Sequence, residues 1–135
     1  MCIRDSFDLP AGEIELGIGI HGEPGRRREA LGTAAQVADV MVEAVVSDLG
    51  AASGAKVLPF VNGMGGTPLL ELYLLYGEIE RGLRAAGLEP ARSLVGPYIT
   101  SLEMAGASLT LLELDDELAQ LWDAPVHTAA LRWGA

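Results

Sequence analysis

One cysteine, Cys2, stands in a chain of 135 residues, so no disulfide can form within it. A lone thiol fits a reducing compartment, and the cytoplasm is the expected location. No apolar run approaches the roughly 20 residues needed to cross a bilayer, and no basic start followed by an apolar stretch marks a secretory signal. Cations are scarce: 9 Lys and Arg face 19 Asp and Glu, for a net charge of -10. That balance argues against nucleic acid or an anionic membrane as a partner. A G-x-x-x-x-G-K-[ST] phosphate loop is missing, as are a kinase catalytic motif and an aspartate cluster suited to Mg-nucleotide. Asp115 and Asp116 are adjacent, but acids at a helix start favour its dipole more plausibly than they bind a metal. No metal and no cofactor site is therefore expected in this chain. Internal repeats, low-complexity tracts and a second-domain boundary are absent too.

What is present is enough for one folded domain: half the residues are apolar and 21% are charged. Residues 1–6, Met-Cys-Ile-Arg-Asp-Ser, look like a translated adapter sequence and are expected to be a non-native leader. Residues 7–135 then form a single α/β domain, cut short at its N-terminus.

The most informative stretch is EIELGIGIHGEPG, residues 13–25. Ile14, Leu16, Ile18 and Ile20 alternate with Glu15, Gly17 and Gly19, which is a strand pattern. The strand is expected to deliver His21 to its C-terminal end, where Gly22-Glu23-Pro24-Gly25 turns the chain away. In α/β folds that end is where ligands sit. The surrounding glycines let a small molecule approach the imidazole closely. The plainer reading of His21 is a strand-end histidine bonded into a turn. Glu23 either orients the imidazole or caps the turn, and the turn is favoured. The triplet Arg26–Arg28 reads as a solvated surface run, with attraction of a phosphorylated partner as the alternative.

Further along, Thr33 and Gln36 have the spacing of a capping box, opening a helix at about residue 34 that Gly50 stops. Its expected buried face is Val37, Val40, Met41, Ala44, Val45 and Leu49. A nearly all-apolar strand, Lys56 to Val61, follows; Pro59 within it implies a sheet edge or a bulge. The Asn62–Gly66 turn leads into a second helix with Thr67 as its N-cap, Pro68 as first helical residue and Gly87 as its end. Leu69, Leu72, Tyr73, Tyr76, Ile79 and Leu83 are its expected buried stripe. The glycine turn could hold an anion on free amides, but tight packing is the better reading. Strands over Arg92–Ile99 and Ser108–Leu114, a short acidic helix over Asp115–Leu121 and a packed tail to Trp133 complete a mixed sheet flanked by helices.

Four stretches together resemble one family: EIELGIGIHGEPGRRR (13–28), VNGMGGTPLLELYLLY (61–76), GPYITSLEMAGASLTLLELDDEL (96–118) and LWDAPVHTAALRW (121–133). They are similar to the C-terminal part of the DhaK-type substrate-binding subunit of dihydroxyacetone kinase. The resemblance implies that His21 is both catalytic and substrate-binding, adding through a ring nitrogen to the ketone carbon of dihydroxyacetone to form a hemiaminal. It implies a DhaL-type partner that brings the phosphoryl group, from ATP or a phosphoprotein relay, and a homodimer in the full-length protein. The family's acid/base histidine and aspartate belong to the N-terminal part, so no residue here inherits those roles and the fragment alone is expected to be inactive. His127 is expected to be structural. Ser101, Glu103 and Met104 are candidates to border the pocket; Ser101 has no Asp-His partner pattern that would make it a hydrolase nucleophile. Two rival readings stand beside the kinase subunit: a non-catalytic ketone-binding or regulatory relative, and a structural remnant that binds nothing.

Overall fold

The computed structural model describes residues 9–18 and 24–134. Residues 1–6, expected to be a leader, and His21 itself lie outside them. The order of elements is β1 (Glu13–Leu16), β2 (Arg27–Ala30), α1 (Ala34–Leu49), β3 (Lys56–Gly63), α2 (Leu69–Ala85), β4 (Glu89–Pro90), β5 (Leu94–Gly96), β6 (Ala107–Glu113), α3 (Asp116–Asp123), β7 (Val126–His127) and β8 (Arg132–Trp133).

The expected mixed sheet is present and is built around β3. Strand β6 runs antiparallel along its whole length, while β4 and β5 pair parallel with successive parts of the opposite side. Pro59 is therefore neither at an edge nor in a bulge. On the β4/β5 side, β4 meets Lys56 and Val57, and β5 takes over at Phe60. Odd-numbered residues of β3 aim their backbone groups at that side, as Val57 does in accepting the N–H of Ala91. Pro59 falls in the gap between the two strands, where no ladder donor is required, so a proline is tolerated inside a central strand.

The two faces of β3 divide the molecule. Val57 and Val61 turn toward α1 and α2 and form the core with Ala38, Val42, Leu72, Ile79, Leu83 and Leu88. Leu58 and Phe60 turn the other way, where with Leu94, Thr110, Leu112 and Trp122 they line an open apolar hollow of about 320 Å3.

Helix α1 begins and ends as its sequence dictates. Thr33 and Gln36 form the reciprocal capping box, and Gly50 closes the helix in the left-handed conformation at φ 63°. Its buried face is rotated from the expected one. Ala38 and Val42 are the buried residues, with Val46 and Leu49 packed against the core. The helix is apolar over a wide arc, and periodicity alone does not choose a face; α1 meets α2 closely where Val42 faces Gly82, at which a Cβ would lie 3.3 Å from the valine. In α2, Leu72, Ile79 and Leu83 are buried as expected, but Leu69 and Tyr73 are exposed, together with Leu70 and Leu74. Pro68, not Thr67, is the N-cap residue, and it makes no side-chain cap bond.

Two further elements depart from the sequence reading. The basic triplet is exposed at the surface, as expected, yet Arg27 and Arg28 also belong to an unanticipated strand, β2, which pairs antiparallel with β1 in a separate two-stranded sheet. The tail from Pro125 is not packed; it folds as the β7–β8 hairpin, with His127 exposed. Trp122 and Trp133 stack with ring centroids 5.0 Å apart, and the Trp133 indole donates to the Ala124 carbonyl at 3.0 Å. A fork of bonds from Arg92 to Asp123 ties α3 to the segment after β4.

Candidate functional site

The hairpin β1–β2 positions the histidine-bearing segment. Strand β1 ends at Leu16, earlier than the alternation suggests, because Gly17 takes a positive φ of 75° and bends the chain. Across the turn, Arg26 N–H donates to the Leu16 carbonyl at 2.7 Å and closes the hairpin. Residues 17–25 form the connection, and His21 is its middle residue. Gly19 to Glu23, His21 included, lie outside the described residues. The described strand on the N-terminal side of His21, β1, belongs to this small antiparallel hairpin and not to the main sheet.

Both feet of the connection are held by one side chain that sequence reasoning left unassigned. Glu15 accepts the Gly25 N–H on Oε1 at 3.0 Å and the Arg28 Nε–H on Oε2 at 2.7 Å. Its side chain is only 9% exposed, against 43% for that of Arg28. The bond from Arg28, and then that from Gly25, hold the Glu15 carboxyl below the usual carboxylate range. A Cβ at position 25 would lie 2.5 Å from Glu15 Cγ, so the acid occupies the space that glycine leaves. A signal was available in the sequence: in a hairpin register Glu15 of β1 faces Arg28 of the basic triplet.

A second cluster joins the turn after β3 to the β5–β6 connection. Asn62, only 2% exposed, donates to the Ile99 carbonyl at 2.6 Å and accepts the N–H groups of Tyr98 and Ile99 at 3.0 and 2.8 Å. Ser101 Oγ donates to the Met64 carbonyl at 2.7 Å and accepts the Met104 N–H at 3.2 Å. Its hydroxyl is thus engaged in holding the turn. Thr67 Oγ1 donates to the Gly106 carbonyl at 3.0 Å and accepts the Gly106 N–H at 2.9 Å. That engagement explains why Thr67 does not cap α2. A Cβ on Gly65 would strike the Ser101 carbonyl, and one on Gly66 the backbone of Glu103 and Ala105. The glycines of this turn serve close backbone packing, as the packing reading expects.

No group of three or more metal-ligating side chains occurs among the described residues. Nor is any helix among them long and apolar enough to cross a membrane.

The Dak1 domain model matches residues 2–130. The chain belongs to the Dak1 domain family. It is 39% identical to the dihydroxyacetone-binding subunit DhaK of the PEP-dependent dihydroxyacetone kinase of Escherichia coli, aligning 97% of this chain with 44% of that protein. It is 47% identical to the corresponding subunit of the PTS-dependent dihydroxyacetone kinase 1 of Listeria innocua, over 92% of this chain and 38% of that one. The chain thus spans less than half the length of either relative. Among solved structures, the dihydroxyacetone kinase operon co-activator Dha-DhaQ superposes with a TM-score of 0.81 at 34% identity, covering 89% of this chain and 38% of its own. The dihydroxyacetone kinase of C. freundii in its native form superposes with a TM-score of 0.72 at 27% identity, over 90% of this chain and 22% of that one. The mixed α/β architecture is therefore that of a Dak1 domain.

Proposed function

We propose that this Dak1 chain is the ketone-anchoring part of a dihydroxyacetone-binding kinase subunit, with His21 as the covalent anchor. The neutral imidazole, abundant near pH 7, attacks the ketone carbon through one ring nitrogen. The carbonyl π pair moves to oxygen, which takes up a proton as the ring N–H proton leaves, and a hemiaminal results with no leaving group. A three-carbon ketone offers little area to bind, so a reversible covalent bond supplies both affinity and orientation. Glycerol, which lacks the carbonyl, is excluded by the same chemistry. The observation that carries the reading is the HGEPG segment, set in a connection whose two feet are clamped by Glu15, in a chain of this family.

On this reading the phosphoryl group comes from a DhaL-type partner, fed by ATP or by a phosphoprotein relay. The acid/base residues are supplied by the part of the subunit that precedes this region, so the chain alone binds or phosphorylates poorly. The protein works in the cytoplasm, and the complete subunit is a homodimer.

The closer superposition on an operon co-activator favours one alternative, a regulator that holds the ketone without passing it on for phosphorylation. The test is a coupled phosphorylation assay on the chain completed at its N-terminus with the corresponding part of the Escherichia coli subunit, with a DhaL-type partner and donor present. Turnover of dihydroxyacetone that is lost in His21→Ala supports the kinase subunit. Ketone binding without turnover would support the regulator.

A further inference from the structure

We infer that strand β6 is an interface strand, whose free edge pairs antiparallel with the same edge of a second copy of this chain. The inference gives a surface to the proposed homodimer and is independent of the role of His21.

Strand β6 stands at the border of the main sheet. On one side of it lies β3, and among the described residues no strand lies on the other. The Leu114 N–H donates to the Lys56 carbonyl, so in the register of this pair the even-numbered residues Ser108, Thr110 and Leu112 bond to β3. The backbone groups of Ala107, Leu109, Leu111 and Glu113 therefore aim at the open edge. Natural edges are blunted by proline, lysine, a bulge or a cover. ASLTLLE holds neither proline nor lysine, and its pairing with β3 runs unbroken from Ala107 to Glu113. An edge of this length left open is a template for another strand.

The strand complements itself. With Thr110 on a two-fold axis, Leu109 faces Leu111 of the second copy and Ala107 faces its Glu113, so every free N–H and C=O of β6 finds a partner. A slip of one residue would set free groups against groups already bonded to β3, and a slip of two would leave an end unpaired. Thr110 then meets Thr110 of the other copy at a non-bonded position, where side chains lie closest and two threonines are a favourable pair.

The helix layer adds apolar surface to the same contact. Helix α1 lies over β6, and α2 lies over β3 and β5. One flank of α1 faces α2: Val42 meets Gly82, and Asp39 is near enough to Arg81 for their charges to act on each other. The other flank, on the side of the β6 edge, carries Val37, Val40, Met41 and Ala44, none of them fully buried. Pairing along β6 brings two such flanks alongside each other and covers them. The net charge of -10 on each copy opposes association, and salt screens that opposition.

Analytical ultracentrifugation of the 135-residue chain should show a monomer–dimer equilibrium that salt strengthens. Amide exchange should slow at Leu109, Leu111 and Glu113 as the dimer forms. Thr110 and Leu112, bonded to β3, should be protected at every concentration. Thr110 is exposed in the single chain, so Thr110→Lys and Thr110→Glu keep the fold but set like charges face to face in the pair. Each should weaken self-association by about tenfold or more, and an equimolar mixture of the two should recover it as a mixed dimer.

The inference is overturned by a chain that stays monomeric at millimolar concentration and high salt, or by a dimer whose Leu109 and Leu111 amides exchange as in the monomer. It is equally overturned by variants that pair as the parent does, or by a mixture that pairs no better than either variant alone. A dimer that persists in such a case would leave the homodimer reading standing on another surface. A completed subunit that stays monomeric while the chain pairs would sink that reading and leave the β6 edge standing.

Discussion

Asn62 both donates to and accepts from the backbone of Ile99, at 2.6 and 2.8 Å, from a position near the end of the central strand. A side-chain amide satisfies a carbonyl through its NH2 and two N–H groups through its oxygen at once. Its replacement by Leu would leave these partners unpaired in a tight junction. Chemical denaturation of Asn62→Leu should show a loss of about 2–3 kcal/mol. A change below about 0.5 kcal/mol, the ordinary size of a surface effect, would mean that Asn62 does not hold this loop.

Two glycines should answer oppositely to alanine. Gly65 has a φ of 110° and faces the Ser101 carbonyl, so Gly65→Ala meets both backbone strain and a collision. Gly77 lies within α2 with open space where its Cβ would be. Gly77→Ala should therefore raise stability by about 0.5–1 kcal/mol, the difference in helix propensity. Thermal melts of the two variants should move in opposite directions.

Neighbouring positions on α2 separate burial from hydrophobicity. Leu72 is 1% exposed and Leu70 is 82% exposed. Leu72→Ala should cost about 2–5 kcal/mol by leaving a core cavity. Leu70→Gln should stay within about 0.5 kcal/mol of the parent. Equal losses at the two sites would show that the first turns of this helix are covered in solution.

Acid should weaken the molecule through its paired carboxylates. The bond from Arg92 holds the Asp123 carboxyl below its usual range, and Glu15 is lowered in the same sense by Arg28 and then Gly25. A carboxyl depressed in the folded state adds stability above its unfolded pKa, and the contribution is lost as pH falls through the folded value. The window therefore lies below the ordinary carboxylate range of about 4. Melting temperatures followed from pH 6 to pH 2 should fall less steeply for Asp123→Asn than for the parent. Parallel curves would contradict an ion pair between Arg92 and Asp123.

Much of the main domain was legible because its signals are local. Thr33, Gln36 and Gly50 carry their own capping chemistry, and Asp115, expected as the first residue of the short acidic helix, caps α3 by accepting the Leu118 N–H at 2.7 Å. What escaped depends on partners distant in sequence. Pro59 suggested an edge because nothing nearby reveals that β4 and β5 divide one side of β3 between them. Thr67 has the local look of a cap, and its true partner, Gly106, lies 39 residues away. Leu69 and Tyr73 fit the apolar period of α2, but periodicity does not say where the neighbouring surface stops. At the candidate site, the HGEPG motif was plain from its residue types. The pairing of Glu15 with Arg28 could be read only once β2 was known to be a strand, and RREA, with three charged residues of four, carries no apolar alternation to show it.

The most direct test of the central claim uses dihydroxyacetone labelled with carbon-13 at the ketone, added to the completed subunit and to its His21→Ala variant. The account predicts a protein-bound tetrahedral-carbon resonance in the parent that the variant lacks. Free ketone and its hydrate alone in both samples, with both proteins folded, would contradict a covalent anchor at His21.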